Sequence, residues 1–303
     1  MNDKTVKSGA IFALAAYFMW GVAPLYFKLL KAMPAQEILM HRIVWSALVL
    51  VILVLLSGKL EQVKSAVRNV KVMTILLISG LLLAVNWLIF IWAINSAHLL
   101  DASLGYYINP LINVFLGRLF FQEKLRRLQQ VAVGLAFIGV AILVLSYGQV
   151  PWIALALALT FAFYGLLRKK VAVDSLPGLL LETLMMLPFA LIYWISFSSE
   201  LSNLSTNELS LNISLICAGI VTTAPLLCFT AAARRLRYST LGFFQYLGPS
   251  IMFVMAVWIF NEPLDQARLT TFVFVWLALL LFSYDSYRAY RRGKRQALIQ
   301  SVE

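Results

Sequence analysis

Ser103-Leu104-Gly105-Tyr106-Tyr107-Ile108-Asn109-Pro110 and Thr240-Leu241-Gly242-Phe243-Phe244-Gln245-Tyr246-Leu247-Gly248-Pro249 are two versions of one segment. Around them, Asn86 to Tyr107 aligns without gaps onto Thr223 to Phe244 at an offset of 137. The second copy then inserts two residues, and the register resumes at Pro110 and Pro249, each followed thirteen residues later by a glutamate, Glu123 and Glu262. Upstream, Ala13-Leu14 and Trp20-Gly21 resemble Ala158-Leu159 and Tyr164-Gly165. The charges around the copies invert. His98-Leu99-Leu100-Asp101 becomes Arg235-Leu236-Arg237-Tyr238, and the basic loop after Glu123 becomes the acidic Glu262-Pro263-Leu264-Asp265. Equivalent loops are therefore expected on opposite sides of a membrane, and an odd number of spans per repeat produces that result.

The rest of the chain supports a membrane reading. Of 303 residues, 62% are hydrophobic, and the mean hydropathy of +0.86 exceeds what a soluble core needs. Apolar runs predict ten helical spans near 10–30, 37–56, 72–95, 102–121, 129–147, 150–167, 177–196, 212–233, 241–260 and 268–287. The expected fold is an all-α integral membrane protein of ten transmembrane helices in two inverted five-helix repeats. The repeats would occupy 8–147 and 150–287, and a basic cytoplasmic tail 288–303. Lys4 and Lys7 before an apolar run resemble a signal peptide, but the run lacks a small-residue cleavage site, which favours a retained first span.

Lys and Arg divide unevenly between the two sides. Twenty, including Lys59 to Lys71, Arg168 to Lys170 and the tail from Arg288, fall on the side of the N-terminus, against three (Lys28, Lys31 and Arg268) on the other. The positive-inside rule then places both termini in the cytoplasm of a cell whose inner membrane the chain crosses repeatedly. This distribution also accounts for the net charge of +12, so no nucleic-acid partner is implied. The basic loops suit anionic lipid headgroups.

On these residues the two copies resemble EamA domains of the drug/metabolite transporter superfamily. Ser103-Leu104-Gly105, Pro110 and Gln122-Glu123-Lys124-Leu125 carry the likeness in the first copy, and Pro249 with Asn261-Glu262-Pro263-Leu264 in the second. Phe18-Met19-Trp20-Gly21, Glu37 with His41-Arg42, Asn86-Trp87 and Gln245-Tyr246-Leu247-Gly248-Pro249 point to the RarD subgroup. The resemblance implies ten spans, a cytoplasmic-membrane location and carriage of small solutes. RarD members are often labelled chloramphenicol-related permeases, a label that says little about a natural substrate. The second copy departs from the first here: Arg42 has no basic counterpart in the seventh span.

Several residues are candidates for solute contact. Pro110 and Pro249 each remove a helical hydrogen bond near the membrane midplane, as kinks that aid packing or as helix breaks and gating points lining a cavity. Tyr106, Asn109 and Asn113 fall at i, i+3 and i+7, one polar stripe facing a cavity or another helix. Gln245 and Tyr246 are their natural opposites, and Asn86 and Thr223 are repeat equivalents. Trp20, ahead of Gly21 and Pro24, is the aromatic candidate. Arg42 either snorkels outward, helped by Glu37, or points inward to receive a carboxylate or phosphate. Glu182 is a proton-coupling candidate or an interfacial carboxylate. Asp101 reads as a helix cap, and Glu123 and Glu262 as ties between loops and neighbouring helices.

Enzyme constellations are not expected. The sequence has no P-loop, no HExxH and no metal-ligand spacing, and His41 and His98 are its only histidines. Cys217 and Cys228 lie about 16 Å apart along one helix, too far for a disulfide. The sequence therefore predicts a secondary transporter of a small metabolite or drug-like solute, without a cofactor, working by alternating access. Membrane lipids are its surroundings, protons are a candidate coupling ion, and a homodimer is left open. The rival readings are a lipid or lipid-carrier flippase of the same fold and a non-transporting scaffold.

Overall fold

A computed structural model describes residues 3–30, 33–95, 99–148, 151–258 and 266–300. Among them the chain is all helix and turn, with no strand. The helices are α1 (Asp3–Leu29), α2 (Ala35–Leu56), α3 (Leu60–Arg68), α4 (Val70–Asn95), α5 (Leu99–Phe121), α6 (Arg127–Tyr147), α7 (Trp152–Lys170), α8 (Ser175–Phe197), α9 (Leu209–Arg235), α10 (Tyr238–Gln245), α11 (Leu247–Trp258) and α12 (Gln266–Gln300). Among the described residues eight helices are long and apolar enough to cross a membrane: α1, α2, α4, α6, α7, α8, α9 and α12. The chain is a multi-pass membrane protein. Helices suit that environment because each satisfies its own backbone groups where lipid offers no partners.

Two apolar clusters hold the bundle together. The larger joins α1, α2, α4, α7, α8, α9 and α10 through residues such as Ala13, Leu50, Leu76, Leu83, Phe229 and Tyr238. The second joins α5, α6, α7, α10 and α12 through Leu104, Ala132, Val140, Phe243, Phe272 and Phe282. Phe243 stacks on Phe282 at 3.9 Å between ring centroids. Apolar side chains also cover the outside: Leu56, Leu145, Phe189 and Ile195 are largely exposed, as lipid-facing residues are.

The packing follows a definite pattern. α1 lies on α9 and α4 on α7; α5 lies on α7 and α1 on α11; α2 lies on α9 and α4 on α8. Three further contacts join α2 to α8, α5 to α10 and α6 to α12.

The elements differ from the sequence expectation in three places. The ninth expected span is two helices, α10 and α11, interrupted at Tyr246. Pro249, in the first turn of α11, has no N–H to bond the carbonyl of Gln245, the last residue of α10, so the interruption falls just past that carbonyl, where the missing bond leaves the helix open. Pro110 does not interrupt α5, which runs through it. The expected separate tail is, as far as Gln300, the end of α12. In the basic loop after α2 the chain forms α3, which buries Val63 and Ala66 while Glu61 and Lys64 pair at 2.7 Å on its exposed side. Glu262, Asp265 and His98 lie outside the described residues, as do the side chains of Asp101 and Arg268.

Candidate functional site

A central cavity of about 190 Å³ opens between α1, α2, α4, α5, α7 and α11. Its aromatic walls are Trp20 and Phe27 from α1, Trp87 and Phe90 from α4, Tyr106 from α5 and Phe161 from α7. Its polar groups are Arg42, Asn86, Asn109 and Gln245. α2, α4 and α5 contribute from the half remote from the basic loops, whereas α11 contributes from its first turns, next to α10. Arg42, for instance, lies near the start of α2, whereas Arg168 to Lys170 close the far end of α7.

The amides are held by the bundle. Asn86 donates from Nδ2 to the Leu157 carbonyl and to Thr160 Oγ1, both at 2.9 Å. Asn109 donates to the Ala158 carbonyl at 2.5 Å. Asn113 donates to Asn109 Oδ1 at 2.9 Å and to Gln245 Oε1 at 3.1 Å. This chain of amides ties α7, α5 and α10 together, and fixed side chains of this kind present a fixed cavity wall.

Arg42 turns into the bundle rather than snorkelling to the surface. Its Nε donates to Thr222 Oγ1 at 2.8 Å, and its guanidinium carbon lies 4.9 Å from the Trp87 ring centroid and 5.5 Å from that of Phe27. Glu37, the expected helper, is taken up elsewhere. It accepts from the Ser199 N–H at 2.9 Å, from Ser199 Oγ at 3.0 Å and from Ser202 Oγ, pinning the segment after α8. His41 accepts from Trp45 Nε1 at 3.2 Å and packs on Trp194, a structural role.

Two candidates stand away from the cavity. Tyr246 faces the second apolar cluster, its hydroxyl donating to the Tyr107 carbonyl at 3.3 Å. Thr223 lies deeper, with Arg42 and Thr222 in a recess of about 10 Å³, and its Oγ1 has no partner among the described residues. Of the two prolines, Pro249 lines the cavity and Pro110 packs against Gly242 of α10. Glu182, the eighth residue of α8, points into the bundle rather than out of it. It is fully buried, accepts from Ser79 Oγ of α4 and faces Arg168 Nη1 at 3.7 Å.

Toward the basic end, the cavity residues Tyr17, Trp20 and Phe161 pack with Tyr164 and Phe229 beneath them, and the five form an aromatic floor. Phe161 and Phe229 lie 5.1 Å apart, and Tyr164 stacks on Phe229 at 6.0 Å. Except for Trp20 and its repeat match Tyr164, the sequence reading did not single out these residues, since aromatic residues are common in any apolar helix. Beneath the floor, Glu123 accepts from the Tyr238 N–H at 2.6 Å, the Ser239 N–H at 2.9 Å and Ser239 Oγ at 2.6 Å. It thereby caps α10 from the loop after α5. Gln122 makes this reach possible by taking a left-handed φ of 51°, and Gly117 leaves room for the carboxylate, since a Cβ there would lie 2.9 Å from Glu123 Oε2.

Outside the membrane-spanning segments, Asp174 joins Lys59 at 3.2 Å and Arg234 at 2.8 Å. Partial burial opposes its ionisation, but the hydrogen bond from Lys59 and the charge of Arg234 outweigh that and hold its carboxyl below its ordinary value. Among the described residues no group of His, Cys, Asp and Glu is placed to hold a metal ion.

A bundle of apolar helices around a partly polar central cavity is the build of a solute carrier. Comparison with known proteins agrees. Residues 7–145 match the EamA-like transporter family. The chain is 52% identical to an uncharacterized transporter of Vibrio cholerae, over 97% of this chain and 98% of that one. It is 49% identical to the protein RarD of Escherichia coli K12, over 97% and 100% of the two chains. A crystal structure at 18% identity superposes with a TM-score of 0.70 over 90% of this chain and 96% of its own, a likeness of fold. The chain belongs to the EamA-like transporter family, as a RarD-like membrane transporter.

Proposed function

We propose that this transporter moves a small metabolite or drug-like solute across the cytoplasmic membrane by alternating access. In this reading ten spans form two inverted repeats, 8–147 and 150–287, with both termini cytoplasmic. α5 is the fourth span, and α10 with α11 make the ninth. The helix pairings support this. Exchanging each span for its partner five places on turns α1 on α9 into α7 on α4, α5 on α7 into α11 on α1, and α2 on α9 into α8 on α4. The pairs α2 with α8, α5 with α10 and α6 with α12 map onto themselves, as contacts across a twofold axis do.

The observation that carries the proposal is the cavity itself. It gathers Trp20, Arg42, Asn86, Tyr106, Asn109 and Gln245 from both repeats into one volume at membrane depth. By the positive-inside rule the Arg42 end of the cavity lies toward the outside, and in this reading the aromatic floor and the Glu123 cap close the inner side. Glu182, buried with Arg168 and Ser79 on the closed side, is the candidate for proton coupling.

Flux into proteoliposomes tests the reading. Organic acids, amino acids and amphenicol-type drugs are screened with wild type, Asn109→Ala and Glu182→Gln. Saturable flux that Asn109→Ala reduces at least tenfold, with folding intact, supports the cavity as the path. Loss of the response to an imposed pH gradient in Glu182→Gln alone supports proton coupling. Scrambling of labelled lipid without solute flux would replace this reading with a flippase.

A further inference from the structure

We infer that the cavity takes a small aromatic or strongly apolar carboxylate, a monoanion without an ammonium group, with the carboxylate on Arg42 and the apolar body against the Trp20–Phe161 wall. This rests on the transport reading above and names the solute class of the same site.

Arg42 provides the first argument. A guanidinium at membrane depth is costly unless something compensates it. This protein contains its own comparison. Arg168, fully buried at the other end of the bundle, lies 3.7 Å from Glu182 and donates to the Ser175 carbonyl at 3.0 Å. Arg42 and Glu182 occupy matching places, the eighth residues of α2 and α8. Yet among the described residues Arg42 has no carboxylate within ion-pair distance. Its Nε is used on Thr222, two aromatic faces lie beside the guanidinium, and no hydrogen bond is made by either Nη among the described residues. Two unused Nη groups in a planar fork match a carboxylate in bidentate geometry, one N–H from each.

The second argument is what the cavity lacks. Among the described residues Arg42 is the single charged residue on its wall, and no Asp or Glu lines it. A zwitterion would bring an ammonium group with no carboxylate to meet it, at the same desolvation cost that Arg42 carries. A dianionic phosphate would bring one negative charge more than the wall can neutralise. A single carboxylate leaves the occupied site neutral.

The third argument is size and surface. An apolar cavity of roughly 150 Å³ accepts benzene. The space here is about 190 Å³, enough for one ring and a short carboxylate arm. Trp20 and Phe161, 5.7 Å apart and edge to face, offer the ring a stacking wall. Gln245, whose Oε1 is held by Asn113, has no partner for Nε2 among the described residues and can donate to a keto or hydroxyl oxygen on the solute.

The test is calorimetric titration of the purified detergent-solubilised protein with four ligands that share one ring: phenylpyruvate, phenylalanine, phenethylamine and phenylacetamide. Phenylpyruvate should bind saturably, phenylalanine at least tenfold more weakly, and phenethylamine not at all. Arg42→Gln should weaken phenylpyruvate at least tenfold without altering phenylacetamide, and Arg42→Lys should recover part of the loss. The wild-type series stands even if a variant does not fold. Phenylacetamide or phenylalanine binding as tightly as phenylpyruvate would overturn the carboxylate assignment and leave a transporter of neutral or zwitterionic solutes. If none of the four binds while another solute shows Asn109-dependent flux, the solute class is wrong and the transport path stands. If none binds and no solute moves, both readings fall.

Discussion

Replacing Glu123 with Gln should loosen the closed, basic end of the bundle. The carboxylate meets two backbone N–H groups at 2.6 and 2.9 Å, one on each oxygen, and Ser239 Oγ at 2.6 Å. Gln keeps a single acceptor oxygen, so one N–H at the start of α10 must face an amide NH2. Hydrogen bonds to charged groups are worth about 1.5–3 kcal/mol. Losing one shifts a closed–open equilibrium roughly 10- to 100-fold, at 1.4 kcal/mol per tenfold. The reporter is a single cysteine at Ala162, which is fully buried and whose carbonyl accepts from the Tyr238 hydroxyl. With Cys217 and Cys228 removed, its labelling by an impermeant maleimide from the basic side should be faster by that factor in the Glu123→Gln background. A lower melting temperature with an unchanged labelling rate would refute the reasoning and leave Glu123 as a static cap.

Two other perturbations follow from the packing and the charges. Gly219→Ala should destabilise the α2–α9 crossing by about 1–3 kcal/mol or more, because a Cβ there would lie 2.5 Å from the Trp45 carbonyl carbon; thermal unfolding in detergent measures it, and an unchanged midpoint would contradict the crossing. The Asp174 ties to Lys59 and Arg234 should weaken in acid. Because the folded carboxyl titrates below its unfolded value, its contribution is full above the unfolded pKa and is lost as pH falls through the folded one. With the side chain 43% exposed the effect is small. Melting curves of wild type and Asp174→Asn should therefore converge at low pH and differ slightly at neutral pH.

That this chain is a membrane-embedded bundle of apolar helices is legible in its residues alone, because composition and the length of apolar runs answer directly to bilayer thickness. The sequence also marked most of the cavity's polar groups. Asn86, Asn109, Gln245 and Arg42 stand out in helices where lipid gives polar atoms no partner. Tertiary structure decided the rest. Pro110 and Pro249 are equivalent in the sequence and lack the same i→i−4 bond, yet α5 runs through Pro110 while the ninth span is interrupted ahead of Pro249, a difference set by what packs around each proline. Tyr246 and Gln245 are neighbours in sequence, yet Gln245 faces the cavity and Tyr246 the α5–α6–α12 cluster, a matter of helix phase at an interruption that periodicity does not specify. Arg42 and Glu182 were each ambiguous between surface and interior. Which partners stand within a few ångströms depends on helices far away in sequence, α9 for Arg42 and both α4 and α7 for Glu182. The aromatic floor was hidden for the same reason, since one large apolar side chain looks like another until packing brings Phe161 of α7 to Phe229 of α9.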